Sequence, residues 1–176
     1  MTIWFTSDLH LNHANIIKYC NRPFRNSREM DETIIRNWNQ RVKDSDTIYM
    51  LGDFCFTRRD ESLPAWYLNK LQGRKILIKG NHDRRATFRA GWDAVHESLE
   101  IAIDGQPLWL NHYFVWNHEE HHPRTWLLYG HVHGRRAPQY GAIDVGVDAL
   151  GFKPASWPEI KNIMIGLKDQ LFSSIK

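Results

Sequence analysis

Five short runs in this chain carry side chains able to bind a cation or move a proton. They are Ser7-Asp8-Leu9-His10, Leu51-Gly52-Asp53-Phe54, Lys79-Gly80-Asn81-His82-Asp83, Asn111-His112-Tyr113 and Tyr129-Gly130-His131-Val132-His133-Gly134. Alternation along an extended segment puts Asp8 and His10 on one side, where a carboxylate and an imidazole can share one ion. Gly52 permits a sharp turn and close backbone approach before Asp53, whose two oxygens can bridge two ions. The amide oxygen of Asn81 can ligate a metal while the adjacent His82 faces a substrate. His131 and His133, two apart and bracketed by glycines, are hard to explain as core residues. Each of the first four runs also has an ordinary reading: a surface Asp with an incidental His, a strand-end turn, an Asn-rich turn, a structural strand-end His.

The elements that must position these groups alternate apolar runs with amphipathic stretches. Strands are expected at Ile3–Ser7, Thr47–Leu51, Lys75–Lys79, Ala94–Ile103, Pro107–Phe114, Trp126–Tyr129 and Ala142–Val147. Asp104-Gly105 reads as a hairpin turn between two of them. Helices are expected at Ala14–Tyr19, at Asp31–Val42 with Ile34, Ile35 and Trp38 at helical spacing, at Leu63–Leu71 and at Pro158–Phe172. Strand-helix-strand-helix-strand followed by a run of strands predicts an α/β layered domain, two packed mixed β-sheets flanked by helices. The polar runs fall at or just beyond strand ends. The carboxyl ends of strands form the ligand crevice of open α/β sheets, so distant runs can meet at one rim.

Length and composition bound the answer. The 176 residues suit a single domain over 1–176 with no room for a cap domain. Hydrophobic residues at 42% and charged residues at 24% are ordinary for a globular chain and argue against disorder. No apolar run approaches the ~20 residues that span a bilayer, and no signal peptide is expected. Two cysteines, Cys20 and Cys55, without C-x-x-C spacing fit unpaired thiols in a reducing cytoplasm. The net charge of +3 permits a polyanionic substrate without requiring one. Ten histidines exceed what packing needs, and eight tryptophans are read as core and rim packing.

Taken together and in this order, D-x-H, G-D, G-N-H-D, N-H and G-H-x-H, each after a strand, resemble the calcineurin-like metallophosphoesterase superfamily. The resemblance runs from Asp8 to His133. The start, Phe5 to Ile17, is similar to a compact branch seen in bacteria and their phages. The resemblance implies one metal held by Asp8, His10, Asp53 and His133, and a second held by Asp53, Asn81, His112 and His131, with Asp53 bridging. Such a mixed shell tolerates several divalent ions, among them manganese, iron, cobalt, nickel and zinc. Two ions ~3.5–4 Å apart can activate a shared water and clamp phosphoryl oxygens, so the implied nucleophile is a bridging hydroxide. His82 matches the family residue thought to stabilise the transition state or protonate the leaving oxygen. Some members orient this His with an Asp three residues after the bridging Asp. Here that position is Phe56, which leaves Asp83 as a candidate. Asn111 before His112 also departs from the small residue common there.

Substrate contacts are expected from His13, which the branch resemblance points at the site, from Arg84 and from His122. A capping or surface His and ordinary surface arginines are the alternatives. Asn117-His118-Glu119-Glu120-His121-His122 reads as a solvated loop and not as a second metal cluster. The expected substrate is a phosphate ester, a nucleotide or nucleic acid among the candidates, with a phosphodiester favoured over a phosphomonoester. A nucleic-acid-binding module with structural metal is the rival from another class, disfavoured by the lack of a basic stripe. The closed, Cys-rich shell of a structural zinc site is also absent. Oligomeric state is not legible in the sequence.

Overall fold

A computed structural model describes residues 1–57, 60–116 and 124–173. Among the described residues, nine strands form two mixed sheets. The first contains β1 (Ile3–Thr6), β2 (Thr47–Met50), β3 (Arg74–Ile78), β4 (Ala94–His96) and β9 (Ala155–Ser156), in the order β4-β3-β2-β1-β9. The second contains β5 (Leu99–Ile103), β6 (Gln106–Leu110), β7 (Trp126–Tyr129) and β8 (Ala142–Asp144), in the order β5-β6-β7-β8. Strands β1 to β4 run parallel and β9 closes antiparallel on β1. In the second sheet only the β5–β6 hairpin is antiparallel. The expected pair of mixed sheets flanked by helices is what the chain forms.

Period-two alternation sends successive strand residues to opposite faces. Phe5, Leu51 and Ile78 of the first sheet and its rim meet Leu108, Leu110, Leu128 and Ile143 of the second in one buried cluster. Trp4, Ile48, Met50 and Leu77 face the other way, against Ile16 of helix α1 (Ala14–Tyr19), Met30, Ile34 and Trp38 of α2 (Ser27–Arg41) and Leu68 of α3 (Leu63–Leu68). The last helix, α5 (Trp157–Ser173), adds Trp157, Ile160 and Met164 to the inter-sheet cluster.

Several boundaries differ from expectation. Helix α2 starts before Asp31, because Asn26 caps it by accepting the Glu29 N–H at 2.9 Å. The stretch Ala94–Ile103 is not one strand: β4 ends in the first sheet and β5 begins in the second, so the chain changes sheets at Glu97-Ser98. Asp104 and Gly105 both hold positive φ, 50° and 78°, the backbone of a two-residue hairpin turn. Strand β8 stops at Asp144, whose carboxylate accepts from the N–H groups of Gly134 and Gly146 at 2.8 and 2.7 Å and bends the chain. The one-turn helix α4 (Arg85–Phe88) and the two-residue β9 were not expected, being too short to show a period. Cys20 and Cys55 are free thiols. Among the described residues, no helix is long and apolar enough to cross a membrane.

Trp38 locks α2 to the loop before β3. Its ring is fully buried and its Nε1–H donates to the Gln72 carbonyl at 2.9 Å. Trp38→Ala leaves a cavity and an unpaired carbonyl, and should lower unfolding stability by ~3–5 kcal/mol in denaturant titration at fixed metal concentration.

Candidate metal centre

All five polar runs leave the carboxyl ends of parallel strands: Asp8 and His10 follow β1, Asp53 follows β2, Asn81 and His82 follow β3, His112 follows β6, His131 and His133 follow β7. The two sheets present these ends to one rim. The turns there are tight. Asp8, His10, Asp53, His131 and His133 all have left-handed backbone, with φ of 59°, 50°, 60°, 69° and 51°. Asp8 and His10 are therefore not on an extended segment as the alternation argument assumed. Both nevertheless reach the same site, because the backbone N–H groups of Asp8 and His10 donate to the carbonyls of Gly52 and Asp53 at 3.0 and 2.9 Å. Left-handed backbone is costly for residues other than glycine and persists only where surrounding bonds impose it.

Two glycines make room. A Cβ on Gly52, itself at φ 90°, would lie 2.6 Å from both the Gly80 backbone and His112 Nδ1. A Cβ on Gly130 would collide with the Ser7 hydroxyl and the Asp8 carboxylate.

The side chains fall into two groups around Asp53. Asp8, His10 and His133 offer ligand atoms within 4.8 Å of one another, and so do Asp53, His112 and His131. Asp53 Oδ2 lies 3.4 Å from His10 Nε2 and 3.6 Å from His112 Nε2, between the groups. Its other oxygen accepts the His82 N–H at 2.8 Å. Asp53 Oδ2, His10 Nε2 and Asp8 Oδ1 are buried and have no hydrogen-bond partner among the described residues. Buried polar atoms are nearly always paired, so three orphans aimed at one small volume mark a place for a cation.

The imidazoles present lone pairs there. His112 Nδ1 lies 2.8 Å from the Leu51 carbonyl, which can only accept, so Nδ1 carries the proton. Nε2 then faces the Asn81 amide oxygen at 2.9 Å, a pair that repels unless a cation or proton lies between. His133 Nδ1 donates to Asp148 Oδ2 at 2.7 Å, leaving Nε2 directed at Asp8 Oδ1, 4.0 Å away. A carboxylate behind an imidazole is the usual support of a metal-ligating His. Asp148 is held in turn by two 2.8 Å bonds from Arg22, whose remaining donors reach the Asp8 and Leu9 carbonyls.

Electrostatics agree with this geometry. Burial pushes the Asp8 carboxyl up to about 7, and the neighbouring Asp53 charge adds to the rise. Burial lowers His10 and His112, and neighbouring imidazoles lower both further. Burial also works to lower His133, but the Asp148 hydrogen bond and the Asp8 charge raise it overall. Without cations the pocket resists the Asp8 carboxylate and the imidazolium forms of His10 and His112, and divalent ions would reverse the preference of Asp8.

The remaining candidates are placed unevenly. His82 is exposed, its ring centroid 5.4 Å from that of His10. Asp83 does not orient it: the Asp83 carboxylate is buried and accepts from the N–H groups of Asp53, Phe54 and Gly80, each at 2.9 Å. Phe56 stacks on His13 with centroids 4.5 Å apart, and His13 Nδ1 is 3.4 Å from His10 Nδ1, so His13 borders the site. Asn111 turns the chain by accepting the Tyr113 N–H at 3.0 Å. Arg84 immediately precedes α4 as its N-cap residue, with an exposed side chain and no hydrogen bond or ion pair to the cluster among the described residues. His122 and the rest of the run from Asn117 lie outside the described residues. Sequence reasoning missed Arg22 and Asp148. Asp148 follows a predicted strand, but nothing near it in the chain marks it as a partner of His133.

The family model for calcineurin-like phosphoesterases matches residues 1–148, which includes every run described above. An uncharacterised protein of Methanocaldococcus jannaschii is 35% identical over 165 residues, covering 88% of this chain and 86% of its own. The gene 66 protein of Mycobacterium phage D29 is 30% identical over 161 residues, covering 76% of this chain and 79% of its own. Among solved structures, a protein of unknown function from Aquifex aeolicus superposes with a TM-score of 0.74 at 25% identity, covering 92% of this chain and 98% of its own. With its family match, fold and clustered ligand groups, the chain belongs to the calcineurin-like phosphoesterase family, metal-dependent hydrolases of phosphate esters.

Proposed function

We propose that this protein is a binuclear phosphoesterase, with Asp8, His10 and His133 on one side of Asp53 and Asn81, His112 and His131 on the other. The observation that carries the reading is Asp53 Oδ2: buried, unpartnered and set between the Nε2 atoms of His10 and His112. Two divalent ions held there would supply Lewis acidity and an activated water. The mixture of imidazole, carboxylate and amide ligands suits manganese, iron, cobalt, nickel or zinc.

The chain's own residues do the rest. Asp8 and Asp53 balance the positive charge. The Leu51 carbonyl and Asp148 fix the His112 and His133 tautomers so that Nε2 faces inward. The His82 backbone N–H holds Asp53 Oδ1, which keeps the second oxygen free, and its exposed ring is available to the leaving oxygen as a proton donor. The rim is open on the side of His131 and His82, both exposed, so a phosphate carrying two substituents can enter. This access favours a phosphodiester.

Purified protein should carry up to two transition-metal ions by elemental analysis, and chelation should abolish hydrolysis of a chromogenic phosphodiester. Asp53→Asn should lower occupancy of both positions in anomalous diffraction, whereas His10→Ala lowers mainly one. Full activity in chelator, or loss of a single ion from the Asp53 variant, contradicts the arrangement.

His82→Gln should keep both ions and near-normal stability while turnover falls ~10²–10⁴-fold. The defect should be larger for alkyl than for nitrophenyl esters, because nitrophenolate leaves without a proton. Equal losses on the two esters would point to charge stabilisation, and a lost ion would make His82 a ligand.

A further inference from the structure

Beside the centre lies a cavity of about 430 Å³ that the catalytic groups do not use. Tyr113, Phe114, Trp116, Arg135 and Arg136 line it, together with His131, which also belongs to the Asp53 group. The Tyr113 ring sits 4.9 Å from that of His131. At its mouth Trp116 is 71% exposed and Tyr113 45%, whereas Trp4, Trp38, Trp126 and Trp157 are buried. Trp116 is thus an exception to the expectation that the tryptophans pack core and rim. The Arg136 guanidinium lies over the Phe114 ring at 3.7 Å and the Trp116 ring at 4.4 Å. Its outer nitrogen reaches Gln139 Oε1 at 3.3 Å, but its Nε–H is buried with no acceptor among the described residues.

We propose that this cavity binds the nucleobase of a nucleotide phosphodiester whose phosphate sits at the metal centre. The proposal rests on the phosphoesterase reading above and names its substrate class. Because His131 lines both the cavity and the centre, one substituent of a phosphate at the centre is directed towards Tyr113 and Trp116. A planar ring there would stack on exposed aromatic faces, an interaction that every base can make. A buried N–H lacking an acceptor is costly until a ligand supplies one, and bases carry ring-nitrogen and carbonyl acceptors in their plane. An alkyl substituent offers neither a π-face nor an acceptor. Arg135 and Arg136 add positive charge beside the ring, which suits a nucleotide carrying further phosphate. An aromatic lining with a few directed polar groups is the usual make-up of a small-ligand site.

Two esters that release the same nitrophenolate test this: thymidine 5′-(p-nitrophenyl phosphate) and methyl p-nitrophenyl phosphate. The thymidine ester should have kcat/KM about tenfold to hundredfold higher, the worth of one stacked base. Trp116→Ala and Arg136→Met should each bring that ratio down by about tenfold. Equal kcat/KM values in the unmodified protein overturn the proposal. A second readout does not depend on turnover. In saturation-transfer NMR with thymidine, the protein loaded with diamagnetic zinc should saturate the base protons, and Trp116→Ala should remove the signal. If neither ester turns over, the phosphoesterase reading falls, and the NMR result still decides the pocket: absent saturation overturns it. Competition between thymidine 5′-phosphate and a short oligothymidylate separates the two sources of a base. The stronger competitor identifies a free nucleotide or a strand end, and failure of both to displace thymidine overturns the proposal.

Discussion

Carboxylates and imidazoles buried together without hydrogen-bond partners are the constraint around which this molecule is built. Asp8 Oδ1, Asp53 Oδ2 and His10 Nε2 are removed from water and have no hydrogen-bond partner among the described residues. Burial alone would favour protonated Asp8, and it drives its carboxyl up to about 7. Leaving such groups unpaired costs free energy that a bound cation recovers. The rim is therefore unfavourable without metal and favourable with it, and metal affinity and folding stability are linked there.

Holding these groups in place takes a scaffold with little freedom. Five of the site residues adopt left-handed backbone, a conformation that short isolated turns would not keep. The loops restrain one another. Asp83 accepts three backbone N–H groups and so binds the turn after β3 to the turn after β2. Arg22, almost fully buried, donates to the Asp8 and Leu9 carbonyls and to Asp148, and Asp148 holds His133. One guanidinium thus ties the loop after β1 to the loop after β7. Neither Arg22 nor Asp83 offers a ligand atom to the centre. Both act through the shape of the backbone that presents the ligands.

Local rules read the fold well where a pattern extended over a whole element. Helix α1 and strand β7 coincide with their expected bounds, and the Asp-Gly hairpin between β5 and β6 follows from two residues that tolerate positive φ. Local rules failed where neighbours decided. Ala94–Ile103 has continuous strand propensity, yet the chain passes between sheets within it. Strand β9 is two residues long and exists because β1 offers it an edge. Helix α4 is a single turn and carries no period.

The site shows the same division. Residue types and their order carried the family resemblance that implies Asp8, His10, Asp53, Asn81, His112, His131 and His133 as one set, and each of these stands just beyond a strand end. Chemical type and sequential position are properties of the chain itself. Which oxygen of Asp53 is free, which nitrogen of each imidazole faces inward, and that Asp83 binds backbone instead of His82 were decided by tertiary structure. So were the Arg22–Asp148–His133 relay, whose first two members stand 126 positions apart, and the aromatic cavity beside His131. Hydrogen-bond direction and burial depend on atoms brought together from distant parts of the chain, and no local spacing encodes them.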